Sequence, residues 1–108
     1  MKHAVNLAQD MGAKIFVAHP GGEYGSLSDS VLEYYVTQGI NGIEVRNYFN
    51  TPQQNSRLDS LARRQSLLRS GGSDFHGTNN RSKIGIWDKR DNQLSREIGE
   101  ELWKGLAL

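Results

Sequence analysis

Short apolar runs alternate along this chain with amphipathic stretches, and the alternation is regular enough to predict elements. Ala4, Leu7, Ala8 and Met11 recur at i, i+3, i+4 and i+7, the spacing of one helix face, and Gly12 follows as a stop, which predicts a helix over about residues 3–11. Lys14 to Ala18 is a run of strand length that leads into His19-Pro20-Gly21-Gly22. Ser26 or Ser28 is placed to cap a second helix, with Val31, Leu32 and Tyr35 inward and Gly39 closing it. A second strand follows at Gly42-Ile43-Glu44-Val45-Arg46. Thr51-Pro52-Gln53-Gln54 then combines an N-cap, a proline at the first helical position and a capping-box glutamine, ahead of Leu58, Leu61 and Ala62 on one face. A third strand at about Leu67 to Ser70 and a last helix from about Leu94 to Trp103, with Leu94, Ile98 and Leu102 inward, complete the pattern.

Helix and strand thus alternate with short connections. That order predicts an α/β fold of three or so parallel strands joined by right-handed helical crossovers. Such folds gather their functional loops at the carboxyl ends of the strands, where His19 and the segment after residue 70 both fall. Three parallel strands leave two unpaired edges, which folded proteins usually cover, so the pattern reads as part of a larger sheet.

The segment Gly71-Gly72-Ser73-Asp74-Phe75-His76-Gly77 carries the most specific chemistry. In an extended backbone Asp74 and His76 point to one side while Phe75 turns away, and the flanking glycines let the chain approach a ligand closely. His19 precedes a proline, which favours an extended conformation for it at the end of its strand. Two imidazoles and a carboxylate suit Zn²⁺, Mn²⁺ or Fe²⁺ better than Ca²⁺ or an all-oxygen Mg²⁺ site. Glu44 has a plainer reading as a strand carboxylate that bonds locally or pairs with Arg46 or Arg69, and His3 reads as a solvated helix-end residue. Arg63 and Arg64 read as helix surface.

Composition narrows the class. The chain has 108 residues, 36% of them hydrophobic, and no apolar run near the roughly 20 residues needed to span a bilayer. Thirteen basic side chains against twelve acidic ones leave a net charge of +1, which gives no support to a broad nucleic-acid footprint. Zero cysteines exclude disulfides and thiolate-bound zinc and fit a cytoplasmic protein.

Ala18-His19-Pro20-Gly21, Gly42-Ile43-Glu44-Val45 and Gly72-Ser73-Asp74-Phe75-His76-Gly77, in this order with helices between, resemble the C-terminal part of the PHP (polymerase and histidinol phosphatase) family of metal-dependent phosphoesterases. The resemblance covers about residues 3–87. It implies the C-terminal half of a distorted (β/α)₇, TIM-like barrel with up to three divalent ions (Zn, Mn or Fe) at its rim. It also implies that His19, Asp74 and His76 are metal ligands and that Asp74 and His76 fix the catalytic geometry around a metal-activated water. Family members begin with an H-x-H motif and add further ligands, none of which precede His19 here. The expected consequence is one portion of a PHP domain spanning 1–108, a single incomplete domain without a whole metal site, inactive as a fragment although its parent is a hydrolase.

Substrates implied by the resemblance are phosphate esters, either small phosphomono- or diesters or nucleic-acid ends. Arg46 and Lys83, in or beside the rim, are the candidate phosphate-binding cations, with Arg81 as a neighbour. Tyr48 and Phe49 follow a strand end, where aromatic rings stack on a base or sugar or simply pack. Two other classes compete: a non-catalytic assembly fragment, and a mononuclear two-histidine, one-carboxylate metal protein, which usually sits on an antiparallel sandwich. An incomplete barrel with an open side predicts a two-fold homodimer that covers it.

Overall fold

The computed structural model describes residues 1–21, 26–77, 84–85 and 92–106, with side chains from residue 96 onward in the last segment. Within them, helices α1 (Lys2–Asp10), α2 (Asp29–Thr37), α3 (Pro52–Arg64) and α4 (Asn92–Leu106) alternate with strands β1 (Phe16–Val17), β2 (Gly42–Asn47) and β3 (Leu68–Gly72). The strands form a sheet in the order β1-β2-β3, parallel at both pairings, as the alternation predicts. This is the α/β class expected, but as an open sheet, since three strands do not close a barrel.

Local chemistry explains the element ends. Ser28, rather than Ser26, caps α2 by accepting from the Val31 N–H, and Gly39 at φ 102° ends the helix. Thr51 and Gln54 form the complete capping box on α3, the Thr51 hydroxyl accepting from the Gln54 N–H and the Gln54 side-chain Oε1 accepting from the Thr51 N–H. β1 is shorter than the five-residue run suggests. The Ile15 N–H is taken by the Asn41 side chain at 2.8 Å, so the strand begins only after it.

The core lies between the sheet and α3. Ile43 and Val45 of β2 pack with Leu32, Ile40, Leu58, Leu61, Ala62 and Ile98, all buried. Gly42 is required at the head of β2, because a Cβ there would stand 2.2 Å from the Phe16 ring and 2.7 Å from the Leu68 carbonyl. β2 carries a bulge: Glu44 pairs with Ser70 but Arg46 with Gly71, so Val45 is the extra residue. The bulge shifts the strand's alternation, which turns Arg46 towards α3 and puts Glu44 and Asn47 side by side, Asn47 Nδ2 donating to Glu44 Oε1 at 2.6 Å.

Two predicted helix faces differ from the structure. α1 buries Val5 against the Gly39 turn, and Leu7 and Met11 of the apolar stripe stand 56% and 75% exposed. Val5 wins because Gly39 lacks a Cβ and lets α1 approach on that side. In α2, Leu32 is buried and Tyr35 joins the core edge, but Val31 faces outward. α4 is longer than expected and seats Ile98 in the core, while Leu68 of β3 packs against its Gly105.

Candidate functional site at the strand ends

Parallel strands deliver their following residues to one rim, and the rim here gathers His19 after β1, Glu44 and Asn47 on β2, and Asp74 after β3. Glu44 is the centre of the group. Its carboxylate accepts from Asn47 Nδ2 and from the backbone N–H of His19, and it lies close enough to His19 and Asp74 for their charges to act on it. Burial pushes the Glu44 carboxyl above its ordinary value; the hydrogen bonds from Asn47 and His19 and the His19 charge oppose that shift, and the Asp74 charge adds to it.

The backbone at the rim is not extended as the sequence suggests. His19 has φ 33° and Asp74 φ 52°, both in the left-handed region that costs a non-glycine residue about 1–3 kcal/mol. The steric effect of Pro20, which disfavours a right-handed helical residue before it, is met at His19 by left-handed rather than extended backbone. At Asp74 the turn folds His76 back on its own loop. His76 Nδ1 donates to the Asp74 carbonyl at 2.7 Å and lies 3.5 Å from its carboxylate. With Nδ1 engaged by the Asp74 carbonyl, Nε2 is the ring nitrogen left to meet a ligand. The ring itself is 63% exposed.

His76 is held on its own loop by Asp74, whereas His19 and Asp74 both come close to Glu44, which sequence reasoning undervalued. Its signal was weak: in β2 a single bulge decides which face a side chain takes, and nothing in Gly42–Asn47 announces one. Donor chemistry fits a divalent ion, but among the described residues no three His, Asp or Glu side chains stand together as a cage that could hold one. The described residues of the rim thus offer donors without a grouped set of three.

Arg46 is not at the rim. Its guanidinium is 2% exposed and held by Asp59 of α3 at 2.5 Å, with a second bond to the Val45 carbonyl, so it closes the helix-facing side of the bulge and is occupied structurally. Arg69 completes this clamp, reaching the other Asp59 oxygen at 3.1 Å and also Glu101 of α4; burial works to lower its pKa, and the bonds to Glu101 and Asp59 overcome that and raise it. Both arginines turn to Asp59 of α3. Lys83 and Arg81 lie outside the described residues. His3 is exposed on α1, and Arg64 meets Asp29 on the surface. Asn47 and Asn50 are buried and shape the turn that follows β2: the Asn47 side chain accepts from the Phe49 N–H, and Tyr48 packs edge-on to Phe49 at 5.1 Å.

The class defined by this geometry is a parallel α/β sheet with imidazole and carboxylate donors at its strand ends. The chain is similar to the crystal structure of a protein from Bifidobacterium adolescentis provisionally assigned as a metal-dependent phosphoesterase, with 30% identity and a TM-score of 0.70. The similarity covers 93% of this chain and 36% of that one, so the chain spans about a third of that protein's length. No family model matches the sequence, and no curated protein matches it.

Proposed function

We propose that this chain is a C-terminal portion of a metal-dependent phosphoesterase of the PHP kind, in which it supplies His19, Asp74 and His76 to a metal centre completed by segments beyond these residues. The observation that carries this reading is the similarity along 93% of the chain to a protein provisionally assigned as a metal-dependent phosphoesterase. His19 and Asp74 then bring donor atoms from two different strand ends, and Glu44 fixes the His19 turn by accepting its backbone N–H. Zn²⁺, Mn²⁺ or Fe²⁺ match such mixed imidazole and carboxylate donors. Phosphate esters, whether small molecules or nucleic-acid ends, are the substrates, and Lys83 is the remaining candidate for a phosphate contact. In the complete protein the sheet continues into a (β/α) barrel. Alone, these residues bind divalent ions weakly and hydrolyse little.

Replacing the matching segment of the Bifidobacterium protein with this chain tests the proposal. The chimera is expected to hydrolyse p-nitrophenyl phosphate or its diester with added Mn²⁺, and Asp74→Asn to remove that activity by about 100-fold or more. The isolated chain is expected to show neither hydrolysis nor tight ion binding by calorimetry. A folded but inactive chimera, or stoichiometric submicromolar binding by the isolated chain that disappears in His76→Ala, overturns the reading.

A further inference from the structure

A bulge between parallel strands is rare and gives up ladder bonds, so it persists only where other contacts hold it. In β2 the register pairs Ile43 with Arg69 and Glu44 with Ser70 before the extra residue, and Arg46 with Gly71 and Asn47 with Gly72 after it. Val45 falls between these pairs. Its carbonyl accepts from Arg46 Nη1 at 3.2 Å and from Asn50 Nδ2 at 3.4 Å. The Val45 and Arg46 side chains both turn to the α3 side, Val45 into the core and Arg46 onto Asp59, whereas an unbroken strand would send them to opposite faces. Strict alternation would likewise part Glu44 from Asn47. The bulge puts them on one face, where Asn47 Nδ2 donates to Glu44 Oε1 at 2.6 Å.

Asp59 brackets this distortion from α3. One of its oxygens takes Arg69, whose strand position pairs with Ile43 just before the bulge, at 3.1 Å; the other takes Arg46, just after it, at 2.5 Å. The Arg46 guanidinium is 2% exposed, so water competes little for that bond. We infer that Asp59 is a positioning residue for the rim: by pinning Arg46, and through it the Val45 carbonyl, it holds the bulge that sets Glu44 and Asn47 on one face. The Glu44 carboxylate in turn accepts the His19 backbone N–H, so an ion pair on the helix side of the sheet fixes the turn that carries the His19 imidazole. That turn needs fixing. His19 has φ 33°, a conformation that a non-glycine residue keeps only where its surroundings over-determine it. The consequence for catalysis rests on the phosphoesterase reading; the geometric link does not.

Nuclear magnetic resonance of the 108-residue chain, with a chelator present, separates positioning from stability. The His19 backbone amide is the signal to follow, since it reports the bond to Glu44 and lies at the end of β1, on a different element from both substitutions. The double variant R46M/D59N removes both charges of the pair together, so no buried ion is stranded, and the amide at position 59 keeps an acceptor for Arg69. The methionine fills the space of the arginine stem but cannot bond the Val45 carbonyl. The variant is expected to fold, with the His19 amide proton moved upfield, as happens when an amide leaves a carboxylate acceptor. Leu61→Ala empties a buried site on the same helix and lowers stability without touching the clamp, so the His19 signal is expected to stay in place. In the active chimera with the Bifidobacterium protein, R46M/D59N is expected to lower kcat about 10-fold or more, as loss of an outer partner of a metal ligand does, and Leu61→Ala to leave kcat unchanged. A folded R46M/D59N with His19 at its wild-type position overturns the inference, and so does an equal displacement in Leu61→Ala. Loss of the fold in R46M/D59N makes the clamp a tie of folding alone and overturns it too. Full kcat in a chimera carrying R46M/D59N has the same force, whereas a chimera inactive without those substitutions counts against the phosphoesterase reading and leaves the His19 signal to decide this one.

Discussion

Glu44 sits where two demands conflict. Burial on the sheet disfavours its charge, and Asp74 adds to the penalty, while Asn47 and the His19 N–H favour it; burial prevails, and the pKa is raised. A carboxyl whose pKa is higher folded than unfolded contributes stability that is fully present below the unfolded value and is lost as pH rises through the folded one. Ionised Glu44 therefore costs the metal-free chain stability near neutrality. Glu44→Gln keeps an acceptor for Asn47 and is expected to raise the Tm at pH 7 in the presence of a chelator, with little change at pH 4; a larger gain at pH 4 than at pH 7 would contradict this sign. Asp59 shows the opposite case, a charge fully used. It holds buried Arg46 and half-buried Arg69 with separate oxygens, so Asp59→Asn strands the Arg46 guanidinium and is expected to cost about 3–5 kcal/mol by urea denaturation. His19 and Asp74 were legible in the sequence because glycine, proline and a D-x-H pattern surround them. Glu44 and the clamp on Arg46 were not, since both depend on the bulge at Val45.

Among the elements, what short-range chemistry decides was legible and what packing decides was not. The start of α3 follows from four adjacent residues, Thr51 to Gln54, and appears as expected. The parallel order of β1, β2 and β3 follows from helices placed between them. The face of α1 is different: its stripe at Ala4, Leu7, Ala8 and Met11 is a sound amphipathic pattern, yet burial falls on Val5, because the small Gly39 opens that side. Periodicity reports that a helix has an apolar face, not that a partner for the face exists in the same chain. Two substitutions separate these statements. Leu7→Lys and Met11→Lys are each expected to change unfolding free energy by no more than about 0.5 kcal/mol, as exposed positions do. Leu58→Ala, on the fully buried stripe of α3, is expected to cost about 2–5 kcal/mol. A loss at Leu7 comparable to that at Leu58 would mean that α1 docks by its stripe in solution.

At the scale of the molecule, the fold is unevenly tied. β2, β3, α3 and α4 share the core and the Asp59 clamp, with Arg69 bridging from β3 to both Asp59 and Glu101. α1 and β1 hold on by less: Val5 on the Gly39 turn, the Lys2 ammonium on the Gln38 carbonyl, Asn41 on the Ile15 N–H, and the Phe16 ring over Gly42. β1 is also a two-residue edge strand whose far side has no partner among the described residues. Local stability follows such differences, because elements with few buried contacts open without the rest. Native-state hydrogen exchange is therefore expected to divide the chain. Amides of Val5 to Met11 should exchange through local opening, well before those of Ile43, Val45 and Leu58 to Ala62, which should require global unfolding. Asn41→Ala should widen the gap by freeing the Ile15 N–H and the start of β1. In the chimera with the longer phosphoesterase the gap should narrow, since further strands would pair with β1 and cover Leu7 and Met11. Uniform protection across α1 and α3 in the isolated chain would show that these 108 residues already form one cooperative unit, and the case for a missing neighbour at β1 would lose its physical basis.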